Sequence, residues 1–168
     1  APLQQKGTLF VSFDLSVIPH KNIILAVTGG IAAYKSAILV RRLKDAGFNV
    51  RVVMTQGAQA FITPLTFQAL SGNPVHTELL DPEAEAGMGH IELARWADLL
   101  LVAPASCDTL AKFAAGLADD LLSTLYLATN APVWVAPAMN QQMWAAKPTQ
   151  RNLATLIEDG VHVIMPDA

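Results

Sequence analysis

The hydrophobic positions of this chain fall into short apolar runs separated by amphipathic stretches. The runs have the length of strands. They are continuous rather than alternating, which is typical of strands buried on both faces of a parallel sheet. They occupy residues 22–28, 49–54, 99–103, 133–135 and 161–165.

The stretches between the runs predict helices, because their apolar residues recur at helical spacing. The first helix carries such residues on one side, at Ile31, Tyr34, Ile38, Leu39 and Leu43. Further helices are predicted over residues 64–70, 110–115, 118–128 and 150–159. Strands that alternate with helices form right-handed βαβ units. We therefore expect a single-domain α/β protein with a Rossmann-like (flavodoxin-like) three-layer fold and a parallel sheet.

Composition narrows the class of protein. The chain has 168 residues, 52% hydrophobic and 15% charged, and this low charge indicates a strongly buried sheet or large subunit interfaces. Its net charge of −3, without a basic run, argues against a nucleic-acid partner. No apolar run has the length of a membrane span. The single cysteine, Cys107, cannot form an intrachain disulfide, so we expect a reducing, cytoplasmic location.

Residues 1–20 match neither a signal peptide nor a clear structural element, because Asp14 and scattered polar residues interrupt their apolar stretch. They are interpreted as an N-terminal extension of unknown role. An upstream extension, an expression remnant and an arm packed on a neighbour all fit. The domain itself is expected to span residues 21–168.

A glycine pair, Gly29 and Gly30, separates the first strand from its helix. Backbone amides and the helix dipole favour an anion at such a turn, so a phosphate or a flat ring is one interpretation. The alternative is a tight turn that needs a positive φ. The spacing is not that of the dinucleotide fingerprint, which disfavours a dinucleotide.

The ends of the other strands carry polar side chains. Thr55 closes the second strand, and it either caps a short helix that reaches Phe61 or hydrogen-bonds a ligand. The third and fourth strands both run into Ala-Pro-Ala, at residues 103–105 and 136–138, which predicts two backbone walls around one slot. Open α/β sheets bind ligands at such strand ends. Ser106 and Thr109 follow the third strand as hydrogen-bond donors.

Asn140 follows the fourth strand, with Met139 and Met143 as adaptable apolar neighbours. It either lines a pocket for a planar ligand or caps the next helix. His90 follows Gly-Met-Gly in an acidic loop over residues 81–90, and it is either presented to a ligand or a surface histidine. The neighbouring Asp119 and Asp120 are interpreted as helix capping rather than a catalytic or metal site.

Together these stretches resemble the flavin-dependent cysteine decarboxylase family, over residues 21–167. The resemblance rests on Thr28-Gly-Gly-Ile-Ala-Ala-Tyr-Lys35, on Gly89-His90-Ile-Glu-Leu93 with Trp96-Ala-Asp98, on Ala103-Pro-Ala-Ser106 with Asp119-Asp-Leu-Leu-Ser123, and on Pro137-Ala-Met-Asn140 with Met143-Trp144. The last group is similar to the family's substrate-recognition motif and is the most specific of the four.

The resemblance implies a bound FMN and the decarboxylation of 4′-phosphopantothenoylcysteine to 4′-phosphopantetheine in coenzyme A biosynthesis. In the family's reaction the flavin oxidises the cysteine thiol to a thioaldehyde, CO2 leaves to give an enethiol, and the reduced flavin returns the electrons. His90 would be the active-site histidine, and Asn140 would hold the substrate carboxylate with Met143 beside it. By position, the residues that contact FMN would be Gly29, Gly30, Ile31, Thr55, Phe61, Ser106, Cys107, Asp108, Thr109 and Ala138. No metal is implied.

The chain departs from the family at its end. It stops at Ala168, before the family's flap segment, whose cysteine protonates the enethiol, and before the ligase domain of bifunctional members. Cys107 lies in the flavin loop and is not assigned the flap cysteine's role. We therefore expect the chain to oxidise and decarboxylate its substrate without completing the reduction. Family members form trimers, often assembled into dodecamers with flavin between subunits, so we expect a homo-oligomer.

Other functions within the same resemblance stay open. A decarboxylase that acts on a peptide ending in cysteine would also need Asn140 to hold a carboxylate. A non-catalytic flavoprotein that regulates a partner is less consistent with the presence of both His90 and Asn140. Flavin prenyltransferases share the fold, but Pro137-Ala-Met-Asn140 is not their signature.

Overall fold

The computed structural model of the chain describes residues 21–79 and 88–165. The expected N-terminal extension, residues 1–20, lies outside these ranges. So does most of the acidic loop that precedes His90. Within the described part of the chain, no helix is long and apolar enough to cross a membrane.

The predicted parallel sheet is confirmed, with all its paired strands running in the same direction. Within the described residues it has five strands in the order β2-β1-β3-β4-β5. They are β1 Asn22–Val27, β2 Asn49–Met54, β3 Leu99–Ala105, β4 Val133–Pro137 and β5 His162–Val163. This is the strand order of the flavodoxin-like doubly wound fold, so the expected fold class is confirmed.

Helices cover both faces of the sheet and complete three layers. They are α1 Ala33–Asp45, α2 Pro64–Ser71, α3 His90–Trp96, α4 Cys107–Ala115, α5 Leu121–Ala128, α6 Gln141–Ala145 and α7 Lys147–Glu158. One core contains α1 and α2 side chains such as Leu39 and Phe67. The second core contains side chains from α3, α4, α5 and α7, among them Leu93, Leu110 and Leu125. Successive strand residues alternate between the two cores, which explains why the runs are continuously apolar.

Several element ends differ from the sequence-based expectation. Helix α4 begins at Cys107 rather than at residue 110, because the Ser106 side chain caps it. Helix α7 begins at Lys147 rather than at residue 150, and proline in its first turn suits that start. Strand β5 has only two residues instead of the run 161–165, and it pairs with β4 through His162 and Val163.

The third and fourth apolar runs end at residues 103 and 135, before their prolines, but β3 continues through Pro104 and β4 includes Pro137. The pairing of β3 with β4 shifts register between Val102 and Ala105. Proline cannot donate to a ladder and is tolerated inside a sheet at such irregularities. The shift therefore lets β3 reach Ala105 before the chain turns into α4.

The start of α5 confirms the capping interpretation for Asp120. Its carboxylate accepts a hydrogen bond from the Ser123 amide at 2.8 Å, and its own amide donates to Ser123 Oγ at 3.1 Å. Lys112 Nζ lies 3.5 Å from the Asp120 carboxylate and 3.4 Å from that of Asp119. Burial opposes ionisation of Asp120, but the hydrogen bonds from Ser123 and the charge of Lys112 outweigh it and lower the pKa of Asp120.

We expect Asp120→Ala to lower the free energy of unfolding by about 1 kcal/mol, because the α5 cap is lost.

Asp120→Asn keeps most of the cap, since asparagine caps as well as aspartate. The contribution of the charge is present above the carboxyl group's ordinary pKa of 3.8 and is lost as the pH falls through the lowered folded-state pKa. Wild type and Asp120→Asn should therefore differ near neutral pH and converge in acid. Urea unfolding followed by circular dichroism checks this, and equal stability of the two proteins at all pH values would contradict it.

Candidate functional site

The carboxyl ends of the parallel strands meet at one edge of the sheet. The chain passes from β1 to β2 on one side and returns to β3 on the other, so the strand order switches between β1 and β3. Open α/β sheets bind their ligands at this kind of switch point. The loops after β1, β2, β3 and β4 therefore form the candidate site.

A buried threonine joins the ends of β1 and β3. Thr28 Oγ1 donates to the Pro104 carbonyl at 2.6 Å and accepts from the Ser106 amide at 2.8 Å. Sequence reasoning missed this residue, which it counted only as the end of an apolar run. A hydroxyl at the end of a buried strand was the available signal.

The glycine pair serves two different needs. Gly30 has a φ of +144°, which confirms the tight-turn interpretation for this residue. A Cβ on Gly29 would lie 3.2 Å from the carbonyl carbon of Gly57, so its small size lets the loop after β2 approach the loop after β1. Gly57 was not identified from the sequence.

The polar residues after β2 and β3 act first as caps. Thr55 Oγ1 accepts from the Ala58 amide at 3.2 Å, and Ser106 Oγ accepts from the Thr109 amide at 3.1 Å. The N-cap of the short 3-10 helix Ala58–Ala60 is Gly57, so Thr55 bonds the first amide of that helix from two residues before the cap position. Phe61 follows this turn with 54% of its surface exposed. Ser106 Oγ also lies 3.0 Å from Thr109 Oγ1. The two hydroxyls therefore bond within the turn.

Cys107 and Asp108 open helix α4 and point to different neighbours. Cys107 Sγ lies 3.4 Å from Thr149 Oγ1 of α7. The exposed Asp108 carboxylate lies 3.7 Å from Lys112 Nζ, one helical turn away. Each side chain thus has a contact within the helical layer.

The turn after β4 lies beside the end of β3. Ala105 pairs with Pro137, and the Ala138 amide donates to the Ala105 carbonyl at 3.1 Å. The two Ala-Pro-Ala ends are therefore adjacent, as expected for walls of one slot. Asn140 Oδ1 accepts from the Met143 amide at 2.9 Å, which confirms its capping role. Asn140 remains exposed, and Met143 exposes 44% of its surface at the same turn.

His90 is the first residue of α3, whose last residue, Trp96, comes shortly before β3. His90 thus opens the helix that leads into β3, and it lies at the end of this helix that is remote from the strand's start. In the described part of the chain, no hydrogen bond joins His90 to another predicted site residue. The structure thus brings the loops after β1, β2, β3 and β4 together, and His90 belongs to a separate element.

The fold defines a doubly wound α/β domain of the flavodoxin type, and sheets of this class bind their ligands at the switch point that lies here between β1 and β3. The Flavoprotein family model matches residues 15–168. The chain belongs to the Flavoprotein family.

The relatives agree with the resemblance found in the sequence. The chain is 58% identical over 154 residues to the coenzyme A biosynthesis bifunctional protein CoaBC of Vibrio vulnificus (strain YJ016), which covers 92% of the chain. It spans only 38% of that relative's length. The match confirms the family resemblance for the region that the two proteins share.

Two solved structures share the fold. The FMN-dependent cysteine decarboxylase SpaF is similar with a TM-score of 0.82 and 34% identity, covering 90% of this chain and 87% of its own. A PPC decarboxylase mutant complexed with pantothenoylaminoethenethiol has a TM-score of 0.72 and 34% identity, covering 86% of this chain and 81% of its own.

Proposed function

We propose that residues 21–168 form an FMN-dependent decarboxylase unit that oxidises and decarboxylates 4′-phosphopantothenoylcysteine, the step that leads to 4′-phosphopantetheine in the cytoplasmic synthesis of coenzyme A. The observation that carries the proposal is the turn after β4, where Pro137-Ala-Met-Asn140 ends in an exposed carboxamide at the carboxyl edge of the sheet. The relatives support it, since one is described as a bifunctional protein of coenzyme A biosynthesis and another as a PPC decarboxylase.

The groups at this edge fit a flavin mononucleotide. The phosphate of FMN needs hydrogen-bond donors. The turn at Gly29 and Gly30 (the glycine turn), the first amides of α4 and the Thr109 hydroxyl offer them. Its ring needs apolar surface, which the exposed Ile31 and Phe61 provide. The proposed cofactor contacts are Gly29, Gly30, Ile31, Thr55, Phe61, Ser106, Cys107, Asp108, Thr109 and Ala138. FMN, when bound, supplies a two-electron acceptor for oxidation of the substrate thiol.

The chain's own residues then orient the substrate and move its proton. His90 is proposed to accept the thiol proton, since an imidazole can act as a base near neutral pH. Asn140 is proposed to hold the substrate carboxylate through Nδ2, with Met143 packed beside it. A neutral amide orients the carboxylate without adding a cation, whose attraction would favour the carboxylate over the transition state for CO2 loss.

An exposed apolar face on α1 supports self-association. Tyr34 and Ile38 lie on this face, and Ile31, which precedes the helix at the glycine turn, is 81% exposed. Contiguous exposed apolar patches commonly mark interaction sites. We propose that copies of this chain cover the face in a homotrimer, which can assemble further into a dodecamer. The bifunctional relatives support a ligase domain as a further partner in the full-length protein.

The first test is the absorbance spectrum of the purified chain after loading with FMN, followed by anaerobic addition of 4′-phosphopantothenoylcysteine. We expect a yellow protein whose flavin band bleaches as CO2 is released. His90→Asn should keep the flavin band but release CO2 at least about 100-fold more slowly, because the base is lost.

A protein that cannot be loaded with FMN would overturn the proposed function. Normal CO2 release by His90→Asn would remove His90 from the mechanism while leaving the decarboxylase in place. A peptide ending in cysteine serves as the competing substrate. Faster turnover of the peptide would assign the chain to the peptidyl-cysteine decarboxylases instead.

Asn140→Asp tests carboxylate recognition without removing the α6 cap, because both residues cap helices equally well. We expect kcat/KM to fall about 100-fold, since two carboxylates would then face each other and like-charge contacts cost several kcal/mol. Asn140→Ser is the matched control, because it also caps but stays neutral, and it should lose less. Unchanged kcat/KM in Asn140→Asp would contradict the assigned role.

Ile38→Asp tests the proposed trimer face. Ile38 is 40% exposed on α1, so in a monomer the change should alter stability by at most about 0.5 kcal/mol. We expect a folded protein of monomer mass in analytical ultracentrifugation, because an aspartate would be buried without a partner in the interface. Ile157→Asp, at a 58% exposed position on α7, is the control and should keep the wild-type mass. The same mass for both variants would contradict this assignment.

A further inference from the structure

The hydroxyl of Thr28 occupies a position that the proposed reaction does not use. Thr28 is fully buried, and its Oγ1 both donates to the Pro104 carbonyl at 2.6 Å and accepts from the Ser106 amide at 2.8 Å. Its backbone amide also lies 3.3 Å from the Pro104 carbonyl. One side chain thus satisfies two backbone groups that are 76 and 78 residues away along the chain.

Both ends of this bridge are continuous with proposed cofactor contacts. Thr28 is followed directly by Gly29 and Gly30. Ser106 is the N-cap of α4, and its hydroxyl accepts the Thr109 amide at 3.1 Å. The hydrogen bond from the Ser106 amide to Thr28 Oγ1 therefore holds the glycine turn next to the start of α4.

We propose that Thr28 is a positioning residue for the flavin. Its hydroxyl holds the glycine turn and the start of α4 at the separation that lets both bind one FMN molecule, and Thr28 itself makes no contact with the cofactor. This inference rests on the proposed function, since it assumes that both segments contact FMN. It predicts a loss of cofactor affinity that exceeds the general effect of a missing buried hydrogen bond.

Ser36 supplies the matched control. It is also fully buried, and its Oγ donates to the Ala103 carbonyl at 2.7 Å. It comes from α1 and touches the same strand, but its hydrogen bond does not reach the turn after β3. Ser36→Ala therefore removes a buried hydroxyl from β3 without releasing Ser106.

The experiment measures FMN dissociation constants by flavin fluorescence, the visible circular dichroism of the bound flavin, and urea unfolding of each variant. Thr28→Val has a similar shape but leaves the Ser106 amide unpaired, while the Pro104 carbonyl keeps its bond from the backbone amide of residue 28. We expect it to bind FMN about tenfold more weakly than Ser36→Ala, because the start of α4 is then no longer tied to the glycine turn. The dichroism of its bound flavin should also change. Thr28→Ser restores the hydroxyl and should bring the affinity back to within about threefold of wild type.

The outcomes separate the two proposals. A wild-type protein that binds no FMN overturns both of them. Wild-type binding with equal affinities and equal dichroism for Thr28→Val and Ser36→Ala overturns the positioning role alone. If Thr28→Val does not fold, Thr28→Cys replaces it, because a thiol is only a weak donor and acceptor. Wild-type affinity in a folded Thr28→Cys would then overturn the positioning role.

Discussion

The parallel direction of the strands decides where every polar group of the candidate site can lie. A parallel sheet has to be covered by helices on both faces, so its strands consist of buried apolar residues such as Ile24 and Leu25. Apart from Arg51 of the edge strand β2, the polar side chains of β1 to β4 lie at or beyond the strand ends. Because all strands run the same way, the ends of β1, β2, β3 and β4 meet at one edge. The parallel sheet, covered on both faces, thus explains both the low fraction of charged residues and the clustering of polar side chains at one edge.

The turns at this edge are built by one repeated interaction. Thr55, Ser106 and Asn140 each follow a strand, and each accepts a hydrogen bond from the backbone amide three residues later. These caps satisfy amides at helix starts, which have no partner inside the helix. The same hydrogen bonds hold these side chains in one orientation, and a binding site also requires side chains with a fixed orientation. Capping and ligand binding are therefore not exclusive interpretations of these residues.

The sequence was sufficient where the signal is local. The apolar runs predicted the strands, and the acidic pair predicted the cap at Asp120, although α5 starts later than expected. The cap at Ser106 was not predicted, and α4 starts three residues earlier than expected. It was not sufficient for contacts between distant segments. The approach of Gly29 to Gly57 and the bonds of Thr28 to the β3 end depend on how the loops are packed. No property of the neighbouring residues shows that a glycine or a threonine has such a distant partner.

The cap on Asn140 also decides which part of its carboxamide can meet a ligand. Because Oδ1 already accepts the Met143 amide, the Nδ2 donor is the polar group of this side chain that is not used in the cap. A donor without charge suits a carboxylate. Cys107 contacts Thr149 of α7, so its thiol is engaged within the helical layer. The polarity of this edge, with amide and hydroxyl donors beside exposed apolar side chains, therefore supports the proposed carboxylate substrate and flavin ring.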